Sequence, residues 1–141
     1  MEMKGECNCG AVTVIFRFPD GQQLSSILCH CINCKKSSGS IGSNFMIVPR
    51  EALSVEGQLT TYLDNSCESG NVLERRFCGV CGSPITAYTK ALDDSLCIVR
   101  TAIFSIPIPP MAHTYLEEAP SWMPRVEGTA FYKRGFGGNQ V

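Results

Sequence analysis

The stretch "ECNCGAVTVIFRF", Glu6 to Phe18, decides the fold. Its second half alternates: Val12, Val14, Phe16 and Phe18 share one face, with Thr13 and Arg17 on the other. That period of two marks a half-buried strand. Its first half sets Cys7 and Cys9 two residues apart. In extended backbone such a pair points the same way, so both sulfurs can reach one ion. Strand and metal ligand are therefore written into one segment, and "PDGQQ" closes it as a turn on Asp20-Gly21.

Working outward, the same grammar recurs. "SSILCHC" is a short strand running into a dense cysteine cluster, and "NFMIV" is another, stopped by Pro49. "LSVEG" and "LTTYL" are two short strands around Gly57. "NVLERRF" leads into "CGVCGS", and "PITAYT" leaves it. "SLCIVRTAIF" is the most β-rich run, and "IPIPP" ends it because proline removes ladder donors. "AHTYL" is a further strand, "EEAPSWMP" is irregular or one helical turn, and the tail "KRGFGGNQV" is expected to fray. Helical periodicity is hard to find. Many short strands between turn signals predict an all-β fold of short antiparallel strands.

Composition narrows the function. A chain of 141 residues suits one domain with one core. Twelve basic against 13 acidic residues give no basic stripe, which disfavours an electrostatic nucleic-acid binder. No apolar run reaches a membrane span, so no membrane partner is expected. "MEMKGECNCG" lacks the apolar core of a signal peptide, so a cytoplasmic location is expected. Nine cysteines, an odd number, read in a reducing compartment as metal ligands or catalytic groups rather than disulfides.

The cysteines fall at 7, 9, 29, 31, 34, 67, 78, 81 and 97. "CGVC" followed by Gly82 has the zinc-knuckle shape, in which a tight turn aims backbone N–H groups at sulfur. Zinc suits soft thiolates in tetrahedral geometry, and an iron–sulfur centre is the rival on ligand type. Spacing leaves the partners open: Cys78 and Cys81 can join Cys7 and Cys9, or two of Cys29, Cys31 and Cys34. The economical solution is one four-thiolate site from the distant pairs and one three-thiolate site from the triplet. The plainer solution is one zinc with the remaining thiols packed in the core. Cys97 sits in an apolar strand and reads as a buried thiol. Cys67, in "DNSCESGN", reads as a loop thiol, with the fourth position of the triplet as its alternative.

"GECNCGAV", "CHCINCKKSSGS" and "RRFCGVCGSPI" resemble the three motifs of the glutathione-dependent formaldehyde-activating enzyme family, which includes centromere protein V. "HTYLEEAPSW", His113 to Trp122, is similar to that family's closing segment. The resemblance spans Gly5 to Trp122. It implies a zinc-pinned β-tent over residues 1–133, followed by a Gly-rich tail, 134–141. It implies a structural zinc on Cys7, Cys9, Cys78 and Cys81, and a catalytic zinc on Cys29, Cys31 and Cys34. It also implies carbon–sulfur lyase chemistry on an adduct of formaldehyde and glutathione.

Three thiolates leave a zinc a weaker Lewis acid than three histidines do, so hydroxide formation near neutral pH is disfavoured. An open fourth position then suits the sulfur of a thiol substrate, held as thiolate while a C–S bond is made or broken. The expected partner is thus a small-molecule thiol or thiol adduct. His113 is the candidate catalytic acid or base. His30, between two ligands, should point away from the metal. Arg75 or Arg76 can face a substrate carboxylate or solvent. Tyr88 reads as a half-buried strand residue. "KKSSGSIGSN", Lys35 to Asn44, reads as a pocket wall or a surface loop, with Lys35 or Lys36 drawing an anionic substrate. Trp122 reads as a lid or a core plug. Two other functions compete: a non-catalytic zinc-stabilised binding module, and a tailoring enzyme using the open zinc on another small molecule.

Overall fold

Val12, Val14 and Phe16 are at most 2% exposed, whereas Thr13 and Arg17 face solvent, as the alternation requires. The structure is a computed structural model that describes residues 1–141, and its regular elements are strands apart from one short helix and three single 3-10 turns. The chain falls into two compact units, each discontinuous in sequence: 1–23 with 47–107, and 24–46 with 108–141.

In the first unit, β1 (Glu2–Glu6), β2 (Thr13–Arg17) and β5 (Leu53–Glu56) form an antiparallel sheet in the order β1-β2-β5. β1 was not legible as a strand, because charged Glu2, Lys4 and Glu6 on its open face mask buried Met3 and Gly5. Gly5 must be glycine: a Cβ there would lie 2.8 Å from the Phe104 ring and 2.9 Å from the Ile103 carbonyl oxygen. β6 (Leu59–Asp64), β7 (Leu73–Cys78), β8 (Pro84–Thr89) and β9 (Leu96–Arg100) form an antiparallel meander. The runs flanking Gly57 are strands, but they do not pair with each other. β5 joins β2 and β6 joins β7.

One charged pair is locked inside this unit. Arg75 Nε donates to Asp64 Oδ2 at 2.9 Å, with both side chains almost fully buried. The Ser66 N–H and hydroxyl donate to Asp64 Oδ1 at 3.1 and 2.6 Å. Burial alone would push the Asp64 carboxyl up, but the Ser66 donors and the Arg75 guanidinium hold it well below the usual carboxylate range. A folded-state pKa below the unfolded value of about 3.9 means that the native state binds fewer protons there. The stabilisation is therefore complete above about pH 5 and is lost as pH falls toward 2. Denaturant midpoints at pH 7 and pH 3 should converge in Asp64→Asn relative to the parent chain. Comparing the two proteins separates Asp64 from the cysteine centres, which respond to acid in both. An unchanged pH dependence would show that the pair does not set the acid limb.

The second unit holds β3 (Ser26–Cys29), helix α1 (Ile32–Ser38), the first half of β4 (Ser43–Pro49), β10 (Pro110–Thr114) and β11 (Ala130–Phe131). The order is β11-β10-β3-β4. β3 and β4 are antiparallel, but β10 runs parallel to both β3 and β11. Parallel neighbours require a long connection, and residues 30–109 supply it between β3 and β10. Register sets Thr114 beside Cys29 and His113 beside Leu28. The tail is not frayed: Lys133 N–H donates to the Asn139 carbonyl and Val141 N–H to that of Phe131.

Candidate metal centres

Cys7 and Cys9 follow β1 directly, and Cys78 ends β7 with Cys81 one tight turn later. Their four sulfurs lie within 4.8 Å of one another. Cys7 Sγ is 3.6 Å from Cys9 Sγ, which is 3.8 Å from Cys78 Sγ. A tetrahedron with metal–sulfur bonds of about 2.3 Å has edges of about 3.8 Å, so the four are already spaced for one zinc-sized ion. Backbone donors converge as a knuckle requires. Val12 N–H donates to Cys7 Sγ at 3.2 Å, and the Val80 and Cys81 N–H groups donate to Cys78 Sγ at 3.4 and 3.5 Å. Gly10 and Gly82, both near φ +78°, make the two turns without a Cβ penalty. Ser83 joins the halves: its hydroxyl accepts from Asn8 N–H at 3.0 Å and lies 3.1 Å from Cys81 Sγ. That hydroxyl, aided by the Ser83 backbone, draws the Cys81 thiol down to about 5. These donors favour the thiolate, the form a metal needs, at Cys7 and Cys81, whereas burial and the neighbouring sulfurs push the Cys9 thiol up to about 11.

The second cluster contains Cys29, Cys31 and Cys34, again within 4.8 Å of one another. Cys29 ends β3, Cys31 is the N-cap of α1 and Cys34 lies in its first turn. Cys34 N–H donates to Cys31 Sγ at 3.3 Å, so sulfur takes the place of the usual capping oxygen. Gly39, with φ +67°, closes the helix. Cys29 and Cys34 are buried, and Cys31 is partly exposed. Crowding by Cys31 and Cys34, with burial, pushes the Cys29 thiol up. Three sulfurs so close cannot all carry charge unaided; a divalent cation relieves that, so this donor set also fits a metal. Cys67 and Cys97 belong to neither cluster. Cys97 is fully buried, and burial pushes its thiol up to about 11.

The closing segment adds residues that sequence alone did not single out. Tyr115, at φ +55°, turns the chain sharply after β10. Glu118 follows, and its Oε2 accepts from Ile32 N–H at 2.6 Å, while its carbonyl accepts from Lys35 Nζ at 2.5 Å. Glu118 thus fixes the start of α1 beside Cys31. The only available signal was its place in the segment similar to the family's end. His30 and His113 are both fully buried, with His30 Nε2 2.9 Å from His113 Nδ1. His30 Nδ1 lies 3.1 Å from the Ile41 carbonyl oxygen, and Val126 N–H donates to His113 Nε2 at 3.1 Å. Burial pushes both imidazoles down in pKa.

The model of the family described as glutathione-dependent formaldehyde-activating enzyme matches residues 2–118. The chain belongs to this family. Its fold is similar to the crystal structure of a Rhodobacter sphaeroides protein, with a TM-score of 0.56 and 21% identity over 76% of this chain and 98% of that one. No curated protein matches. The remaining expected residues divide by unit. Arg75 is committed to Asp64 in the first unit. Arg76 pairs with Glu74 at 2.7 Å and lies over the Tyr88 ring, as does Arg50. Lys35 is held by Glu118, whereas Lys36 is exposed. Of the segment Lys35 to Asn44, read as a wall or loop, residues 35–38 belong to helix α1, which the Cys31 and Gly39 caps define. Trp122 is 70% exposed, which excludes a core plug. No helix is long and apolar enough to cross a membrane.

Proposed function

We propose that this member of the family is a zinc-dependent carbon–sulfur lyase acting on a small thiol adduct, and that Cys29, Cys31 and Cys34 are its reaction centre. The supporting observation is the inequality of the clusters: four sulfurs converge in one and three in the other. Zinc held by three thiolates would supply stabilisation for a sulfur anion entering or leaving the fourth position. Cys7, Cys9, Cys78 and Cys81 would hold the zinc that maintains the fold.

The chain's own residues shape the reaction site. Burial keeps water from Cys29 and Cys34, while the partly exposed Cys31 marks the side from which a substrate sulfur approaches. The unit around the triplet carries Lys35, Lys36, Arg125, Lys133 and Arg134 against Glu117, Glu118 and Glu127, two more bases than acids. That excess favours a substrate with carboxylates, such as a glutathione-like thiol. The favoured reaction breaks the C–S bond of an S-hydroxymethyl thiol, giving the thiol and formaldehyde, or forms it in reverse. Thiolate centres and free thiols of this kind persist in a reducing compartment, and the reading places the protein in the cytoplasm.

Exchange of ¹³C-formaldehyde into S-hydroxymethyl adducts tests this directly. NMR exchange spectroscopy should show acceleration by the zinc-loaded protein, loss after treatment with a strong chelator, and recovery on adding zinc. A panel with glutathione, cysteine and a thiol lacking carboxylates reports the substrate class. No acceleration for any adduct by a chain carrying two zinc ions would overturn the lyase reading and favour the binding module.

A further inference from the structure

We propose that His113 is a positioning residue for the three-sulfur centre: acting through His30, it holds the backbone between Cys29 and Cys31 in ligating geometry and so sets how tightly that centre keeps its metal. The inference rests on the reading that the triplet binds a metal. It assigns His113 a role other than direct acid–base chemistry.

The hydrogen bonds determine where every proton lies. A peptide N–H can only donate, so Val126 fixes His113 Nε2 as an acceptor without a proton. A neutral His113 then carries its proton on Nδ1 and donates it to His30 Nε2. His30 Nε2 is therefore bare, and the His30 proton sits on Nδ1, where the Ile41 carbonyl oxygen accepts it. The chain runs in one direction, from Val126 N–H through two neutral rings to the Ile41 carbonyl. Both ends are peptide groups, which neither release a proton to a substrate nor take one from it. The chain's capacity is to hold geometry.

What it holds is the ligand segment. His30 lies between Cys29 and Cys31, and its own N–H donates to the Thr114 carbonyl at 3.0 Å. Its ring meets that of His113 edge to edge, centroids 5.2 Å apart and planes 13° from parallel, as a hydrogen bond between ring nitrogens requires. His113 is backed by Phe131 at 5.6 Å, and its carbonyl accepts from Tyr132 N–H at 2.9 Å. On the far side, Gly42 presses against the His30 ring: a Cβ there would fall 2.9 Å from His30 Nδ1 and 3.0 Å from the Cys29 carbonyl oxygen. Turning the His30 ring over would remove both of its hydrogen bonds inside a dry site. Three segments that contribute no sulfur, around Ile41, His113–Thr114 and Val126, thus bear on the one residue between two ligands, the last of them through His113. Groups that orient a ligand in this way typically govern metal affinity by about ten- to a hundredfold.

The experiment uses the full chain with cobalt(II) as probe in both centres, reading sulfur-to-cobalt absorption while a chelator competes. His113→Leu should release the metal of the three-sulfur centre about ten- to a hundredfold more readily, with the four-sulfur centre unchanged as internal reference. His113→Asn keeps a donor near the Nδ1 position and should recover most of the loss. Equal loss in both variants, or wild-type affinity in a folded His113→Leu chain, overturns the proposal. If His113→Leu does not fold, the parent protein still decides: ¹⁵N NMR should show both rings neutral, protonated on Nδ1 and bare on Nε2. A proton on either Nε2 overturns it. A parent chain that binds one metal ion only removes the underlying metal reading and this inference with it. Two bound ions with an unaffected His113→Leu chain remove this inference alone.

Discussion

Cys78→Ser is expected to leave the chain unfolded at 25 °C and without metal in its four-sulfur centre. Cys78 is 1% exposed and is the most heavily engaged of the four. Its sulfur accepts from the Val80 and Cys81 N–H groups, its own N–H donates to the Ser83 carbonyl, and its carbonyl accepts from Gly82 N–H. The centre ties the segment after β1 to the end of β7, which lie far apart in sequence. A structural zinc contributes on the order of 10–16 kcal/mol of apparent folding energy near neutral pH. A domain of this size has a total stability of about 5–15 kcal/mol. Losing one ligand of four therefore consumes the whole margin. Far-UV circular dichroism and zinc per chain on the purified variant provide the check. A cooperative melt within a few degrees of the parent would show that the four sulfurs are not needed for the fold.

Cys34→Ser is expected to behave differently: folding largely kept, the second metal lost, and C–S exchange slowed by about a thousandfold. A metal that stabilises developing charge supplies several kcal/mol to a transition state, and each 1.36 kcal/mol is tenfold in rate. Folding survives because the elements around Cys34 have other supports. The Cys31 sulfur still faces the first turn of α1, Glu118 still accepts from Ile32 N–H, and Gly39 still closes the helix. Zinc stoichiometry should fall from two to one per chain, with a modest loss of thermal stability. Collapse equal to that of Cys78→Ser would mean that the triplet is structural as well, and would count against the reaction centre.

The contrast between these variants follows from what was legible in the sequence. The alternation in Thr13–Arg17 and the two-residue spacing of Cys7 and Cys9 are local, so strand and ligand pair could be read together. The same holds for the triplet and for the "CGVC" knuckle. Helix α1 was hidden because its seven residues, of which only Lys35 and Lys36 are good helix formers, show no period; it is defined by its Cys31 and Gly39 caps. β1 was hidden because its open face is charged. The partition of the sulfurs, left open by spacing, was decided by where β1 and β7 end.

By itself, the sequence determined most of the strands, the ligand type and the presence of a triplet beside two pairs, because each is set by chemistry within a few residues. Only the tertiary structure decided that Arg75 answers Asp64, that Glu118 starts α1 and that His113 meets His30. Each of the last two pairs spans more than eighty positions and depends on β10 lying parallel to β3. A histidine read alone carries an acid or a base. That both nitrogens of His113 are taken, by a peptide N–H and by another buried ring, is set by the fold, and no local pattern encodes it.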